Sequence, residues 1–309
     1  MTDFLQLFFS GLATGAIYSL AALGFTLLWQ ASGTINFAQG EFVMLPAFMM
    51  LGFMSIGAPL AVSFTMTVVL AVFVLGWVFK RGLVDPLFKF GMMPIVVATI
   101  GLSIAMRNGL RAGYSAEAHP FPSLFADKLF NIAGVTITLA DVGTFAVALI
   151  LVFVVQAFMT KTVTGRAMQA VAQNTESASV LGINVPRMIF YAFAINAVLA
   201  VAAALLVTPT YLAKFDMGES LGTKAFFAAI IGGISGWIIL STTELGSFAG
   251  WFLLTLGFIS IEASFLTTIA YGLRSGERWD AEFNPGISPE QATQTGWSTG
   301  LRTSWIRLR

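Results

Sequence analysis

FLQLFFSGLATGAIYSLAALGFTLL, residues 4–28, carries no charged side chain. Its length slightly exceeds the roughly 20 apolar residues that a bilayer-spanning helix needs. Only Asp3 is charged ahead of it, whereas a cleaved signal would have a basic start, a shorter apolar stretch and a small-residue cleavage site. The run therefore reads as a retained first span. Seven more apolar windows follow, at about Asn36–Ile56, Leu60–Phe79, Pro94–Leu110, Leu139–Met159, Met188–Thr208, Ala225–Leu240 and Leu245–Tyr271. They are continuously apolar and lack the ten-residue alternation of a membrane barrel. Helices satisfy their own backbone polar groups in hydrocarbon, so the expected fold is all-α and polytopic, with about eight transmembrane segments, one possible site of discontinuity lying near residue 36.

Composition agrees. The chain has 309 residues, of which 57% are hydrophobic and 10% charged, against roughly a quarter charged in globular proteins. Mean hydropathy is +0.84. A net charge of +1 gives no basic surface for nucleic acid, and zero Cys with one His leaves no thiol chemistry and no zinc site. An intramembrane enzyme would need paired carboxylates, a His cluster or a Ser-based constellation, and these spans offer none.

Lys and Arg in the loops orient the chain. Lys80, Arg81 and Lys89 follow the third window, and Lys161, Arg166 and Arg187 follow the fifth. The loop 111–138 balances two basic with two acidic residues, and the loop 209–223 is acidic, with one Lys against Asp216 and Glu219. This alternation predicts an external N-terminus and cytoplasmic segments at 80–93 and 160–187. Residues 1–273 then form one transmembrane domain, with a cytoplasmic loop at about 161–187. Residues 274–309 are a polar tail expected to be poorly ordered.

Polar residues inside the windows are the functional candidates, because ionisable groups in hydrocarbon are costly. The second window starts Asn36-Phe37-Ala38-Gln39-Gly40-Glu41. Either the chain unwinds there against protein or a wet cavity, as in the broken helices of transporters, or the helix starts at Phe42 after a capped interfacial turn. In both cases Glu41 belongs near a helix N-terminus, where the dipole favours an acid. Glu262 lies within the last window and is either an intramembrane functional acid or a sign that the window is not a span. Gly11 and Gly15 have small-xxx-small spacing and are expected to pack helices. Arg107 falls near the end of the fourth window and reads as snorkelling to the interface. His119, flanked by prolines, reads as a loop residue.

In the loop 161–187, Arg166–Gln173 is a run of good helix formers. Asn174 is a suitable N-cap for a second short helix, with Glu176 in its first turn, Gly182 to close it and Pro186 to prevent continuation. Two turns are marginal in water unaided. Such a helix, with Ala178, Val180, Leu181 and Ile183 on offer, either folds back on its own membrane domain or inserts into a cytosolic partner.

Three stretches carry a family resemblance. Residues 15–27 (GAIYSLAALGFTL) with 35–42 (INFAQGEF) resemble the LivH-type permease of branched-chain amino-acid ABC importers. Residues 165–174 (GRAMQAVAQN), continuing through Ala178 to 181–185 (LGINV), are similar to that family's cytoplasmic loop, and 228–233 (AAIIGG), with Gly232 and Gly233, to its late glycine motif. The resemblance covers about residues 5–233; beyond it, only Leu256-Gly257 and Glu262 resemble the family's acid-bearing span.

The resemblance implies a subunit in the bacterial inner membrane, partnered by a second permease, two cytosolic ATPases and a soluble substrate-binding protein. It implies that Asn36, Phe37, Gln39, Gly40 and Glu41 line the translocation path, and that Gly232 and Gly233 pack helices. Gly165, Arg166, Ala170, Asn174, Glu176, Ala178, Leu181, Gly182 and Ile183 would form the segment that couples to an ATPase. No cofactor is expected on this chain, since no Gly-x-x-x-x-Gly-Lys-Ser/Thr phosphate loop occurs; Gly218–Lys224 is the nearest string, with the wrong spacing. A rival of another class is a passive channel for a small solute built around the polar break. Relatives that carry urea or short amides are an alternative within the family.

Overall fold

The computed structural model describes residues 2–114, 116–125, 128–132 and 135–240. These lie within the first of two units, Met1–Ile259. The seventh window continues as a helix to Leu240, whereas the eighth window, Glu262 and the tail 274–309 lie outside the described residues.

Ten helices and one small hairpin occur in the described residues: α1 (Thr2–Ser32), α2 (Gln39–Ser55), α3 (Leu60–Ala71), α4 (Asp85–Phe88), α5 (Met92–Tyr114), β1 (Leu129–Ile132), β2 (Val135–Thr138), α6 (Leu139–Lys161), α7 (Val163–Gln173), α8 (Thr175–Val180), α9 (Val185–Tyr211) and α10 (Met217–Leu240). Between α3 and α4 the rod continues through π-helical Val72–Val78 and Lys80–Val84. The widened turn precedes Pro86, which has no N–H to offer an α-helical ladder, so a local change of hydrogen-bond register is where strain from that ring can be absorbed. Among the described residues, five helices are long and apolar enough to cross a membrane: Ser10–Ser32, Leu60–Phe88, Met92–Tyr114, Leu139–Lys161 and Val185–Tyr211. At 17 residues, α2 is only about 25 Å long and falls short of a ~30 Å hydrocarbon core.

The described part of α1 and α9 is mostly buried and packs along each other, while α5 and α6 are largely uncovered. Most of their uncovered residues are apolar, among them Met93, Val97 and Ile104 on α5 and Ile150, Phe153 and Val154 on α6, with Asn108, Arg111, Thr160 and Lys161 exposed toward the helix ends. A surface of that kind suits lipid rather than water. Around the α1–α9 pair, α2 packs against both helices, and α10 packs against α1 and α2.

Local chemistry sets the ends. Gly33 closes α1 in the left-handed conformation (φ +63°), with its N–H donating to the Trp29 carbonyl at 2.8 Å. Thr138 caps α6 by accepting from the Asp141 N–H at 3.0 Å. The hairpin β1–β2 pairs Leu129 with Thr138 and Ile132 with Val135, adding a strand pair within the loop 111–138. His119 does more than occupy its loop: its backbone exchanges two 3.0 Å hydrogen bonds with Ala213, tying the loop after α5 to the one after α9.

Candidate functional site: a polar break between α1 and α2

Six residues, 33–38, separate α1 from α2, and the structure places this break deep in the helix bundle. The Gln39 amide donates to the Ala21 carbonyl at 3.3 Å and to Asn196 Oδ1 at 2.8 Å, and Asn196 Nδ2 donates back to Gln39 Oε1 at 3.0 Å. Ala21 is the middle residue of the Ser10–Ser32 span and Asn196 is close to the middle of Val185–Tyr211. The Phe37 N–H donates to Thr99 Oγ1 at 3.2 Å, one turn from the centre of α5. The start of α2 is therefore level with the middle of three spans. Of the two readings the sequence left open, the break within protein is the one found, and the interfacial turn is not. The helix starts at Gln39 rather than Phe42.

Burial makes these hydrogen bonds obligatory. Asn36, Gln39 and Glu41 are each 2–3% exposed. Asn36 Oδ1 accepts from the Ala38 N–H at 3.0 Å, satisfying one orphan donor ahead of α2. Its Nδ2 has no partner, an unmet donor of the kind that buried sites rarely leave. Gly40 lies against α10, where an added Cβ would stand 1.7 Å from the Gly218 carbonyl oxygen and 2.8 Å from the Gly222 nitrogen. Phe37 points out at 44% exposure, with its ring 5.8 Å from Phe226.

Glu41 sits in the first turn of α2 and receives a 3.3 Å ion pair from Arg107 Nη2. Arg107 Nη1 reaches Glu219, on the first turn of α10. Snorkelling does not describe this arginine: its side chain is 25% exposed and bridges two acids from two helices. Thr99, Ser103 and Arg107 recur every four residues and form a polar stripe on α5 facing the break.

Glycine packing at Gly11 differs from the expectation. Nothing lies within 4 Å of a Cβ at Gly11, while one at Gly24 would stand 2.2 Å from Asn196 Oδ1. Gly15 is buried on α1, and Gly232 and Gly233 fall within α10. In the bundle, close backbone approach is found at Gly40, Gly218 and Gly222, the last two inside the string that most nearly imitates a phosphate loop.

The loop 161–187 has the predicted local form. Thr162 caps α7 by accepting from the Gly165 N–H at 2.9 Å. Gly165 is buried against the last turn of α6, with Phe158 O 2.3 Å from where a Cβ would be. Arg166 is exposed and Ala170 half-buried. Asn174 caps α8 by accepting from the Ser177 N–H at 2.8 Å, and Gly182 (φ +83°) ends it with the Ile183 N–H donating back to the Ala178 carbonyl at 3.0 Å. The apolar residues divide. Ala178 is 2% exposed against its own chain, whereas Val180 and Leu181 are 82% and 78% exposed. Glu176 is exposed and Ile183 half-buried.

Sequence reasoning missed Asn196, Glu219 and the α5 stripe. Asn196 stands alone in an otherwise apolar window, and a lone amide at mid-span is a detectable signal. The four-residue recurrence of Thr99, Ser103 and Arg107 was equally legible. Among the described residues, no cluster of His, Cys, Asp and Glu could hold a metal ion.

An apolar-surfaced helical bundle with polar side chains bonded to one another at mid-depth, around an interrupted helix, defines a membrane transport protein. Residues 7–278 match the family described as branched-chain amino acid transport system / permease component, and the chain belongs to that family. The match runs past Gly233 and Glu262, so the family likeness does not stop where the sequence motifs became unfamiliar. The chain is 30% identical over 263 residues to the high-affinity branched-chain amino acid transport system permease protein LivH of Salmonella typhimurium, covering 78% of this chain and 85% of that one. Identity and coverage are the same for LivH of Escherichia coli K12. The BraD permease protein of Pseudomonas aeruginosa is 29% identical over 247 residues, 75% of this chain and 80% of its own. No solved structure gives a significant match.

Proposed function

We propose that this chain is the membrane-spanning permease subunit of an ATP-binding-cassette importer for branched-chain amino acids, in the bacterial inner membrane. Its partners are a second permease, two cytosolic ATPases and a soluble binding protein that delivers substrate to the external face. The observation that carries the reading is the buried, self-bonded polar break at 36–41, which supplies a polar path at mid-depth without exposing charge to lipid. Asn36, Gln39 and Glu41 line that path, with Phe37 and Gly40 shaping it. This chain performs no covalent chemistry; ATP is hydrolysed on the partner chains. Their closure biases a bundle with two arrangements, one open outward and one open inward. The N-terminus and the loops 111–138 and 209–223 face outward. The bridge between His119 and Ala213 supports placing those two loops on one side.

Coupling to an ATPase runs through α7 and α8. Val180 and Leu181 are adjacent, exposed and apolar at the end of a helix of six residues, so they are the contact face, while Ala178 anchors the helix to its own domain. Asp at both Val180 and Leu181 is expected to cut ATPase co-purification about tenfold, the effect of roughly 1.4 kcal/mol, without lowering the melting temperature of the permease. Ala178→Asp instead buries a charge within the permease and lowers that temperature. Equal co-purification by the Val180/Leu181 variant and the parent removes the coupling assignment.

Co-purification and uptake together test the whole reading. Expressed with its neighbouring genes and reconstituted in vesicles, the chain is expected to bring ATPase subunits with it and to accumulate leucine only with ATP and the binding protein. A chain that purifies alone and passes solute down its gradient is a channel, and the importer reading then fails.

A further inference from the structure

Arg107 stands between two helix starts built alike. Glu41 is the third residue of α2 and follows Gly40; Glu219 is the third residue of α10 and follows Gly218. The two glycines touch, and one guanidinium bridges the two carboxylates. The two acids are nevertheless unequal. Glu41 is 2% exposed and would be stranded as a buried charge if it lost the arginine. Glu219 is 65% exposed and loses little by swinging into water, as exposed ion pairs are weakly held.

The guanidinium is also short of acceptors. Nη2 serves Glu41 at 3.3 Å and Ser103 at 3.4 Å, Nη1 serves Glu219, and Nε is buried with no partner. Arginine binds carboxylates by charge-assisted hydrogen bonds, often in pairs, and keeps its charge at all relevant pH values. A ligand carboxylate that took the place of Glu219 would leave the charge around Arg107 unchanged, because one carboxylate replaces another. The exchange needs no proton and strands no charge. It takes place at the outer edge of a site whose inner edge is the polar break.

From this we infer that Arg107 binds the carboxylate of a small amino acid on the translocation path, and that Glu219 occupies the arginine as an internal stand-in until that ligand displaces it. The inference rests on the transport reading above and adds to it the substrate group recognised inside the membrane domain and the residue that recognises it. Glu41 holds the guanidinium in place throughout and is a positioning residue.

The test uses the assembled permease–ATPase complex in lipid nanodiscs without the binding protein. The probes are leucine and leucinamide, which differ in the carboxylate. Glu219→Gln removes the competing charge and is expected to tighten leucine binding about tenfold while leaving leucinamide unchanged. The charge-neutral double variant Glu41→Gln/Arg107→Gln is expected to bind both probes alike, with any preference for leucine lost. Unchanged or weaker leucine binding by Glu219→Gln overturns the inference, as does a retained preference in the double variant. Should the double variant not assemble, Glu219→Gln decides alone, because its side chain is exposed and the change conservative. ATP-driven leucine uptake by the parent complex, reconstituted separately in vesicles with its binding protein, separates the two levels. Its absence defeats the transport reading, whereas uptake combined with variants that bind like the parent defeats only the role of Arg107.

Discussion

Gly40→Ala is expected to abolish uptake and to leave little folded permease in the membrane, although it adds a single methyl group. That methyl would stand 1.7 Å from the Gly218 carbonyl oxygen, 2.6 Å from the Gly218 carbonyl carbon and 2.8 Å from the Gly222 nitrogen. All three are backbone atoms, so no side chain can rotate away, and α2 and α10 must separate by an ångström or more. Ordinary overpacking in a core costs about 1–3 kcal/mol, and displacement of two helix backbones is expected to exceed that range. The same movement pulls Glu41 from Arg107 and Gln39 from Asn196, because both side chains flank Gly40 on α2.

The glycines on the other helix provide a graded comparison. A Cβ at Gly218 or Gly222 would stand 2.9 Å from Gly40 backbone atoms, tight but less severe, so alanine there should retain partial uptake. Gly11→Ala meets nothing within 4 Å and should behave as the parent. Surface expression, melting temperature in detergent and leucine uptake, measured for the four variants, give the order. If Gly40→Ala transports as well as Gly11→Ala, the α2–α10 crossing is not as close as described.

Those glycines show what was legible in the sequence and what was not. Small-xxx-small spacing is present at Gly11/Gly15 and at Gly218/Gly222, and spacing alone cannot say which pair meets a backbone. Only the fold, which brings α2 against the start of α10, gives the second pair its use. The spans themselves were legible because length and unbroken apolarity are local properties; each of the five spanning helices overlaps a predicted window. The caps at Asn174 and Gly182 were legible for the same reason, since a helix end is specified by its own few residues. Residues 36–41 announced a problem, three polar groups beside an apolar run, but not its solution. The solution lies 157 residues away at Asn196 for Gln39, and 66 residues away at Arg107 for Glu41. Loop charges did not reveal Glu219 as a partner of Arg107, because an exposed acid in a loop is ordinarily solvated.

Gln39 and Asn196 allow the structural and transport roles of the break to be separated. Each amide both gives and receives in the pair, and both are buried, Asn196 completely. Gln39→Leu leaves the Asn196 amide without its partner, and Asn196→Leu leaves Gln39 Oε1 without a donor while Nε2 keeps the Ala21 carbonyl. An orphaned buried polar group costs about 1–3 kcal/mol, so either single variant is expected to lower the melting temperature clearly. Replacing both amides by leucine removes the two unmet groups together, and apolar replacement of a whole pair can be nearly neutral. The double variant is therefore expected to be more stable than either single one, a coupling that a double-mutant cycle reads directly. Leucine has nearly the size of these amides, and Gly24 leaves no spare room beside Asn196, so some strain will persist in all three variants. Transport should follow a different order. If the break lines the path, a stable but apolar pair at mid-depth removes the polar groups that a zwitterion meets there, and uptake in the double variant stays at least tenfold below the parent while stability recovers. Recovery of uptake together with stability would mean that Gln39 and Asn196 merely hold α2 to α9, and the path must then run elsewhere.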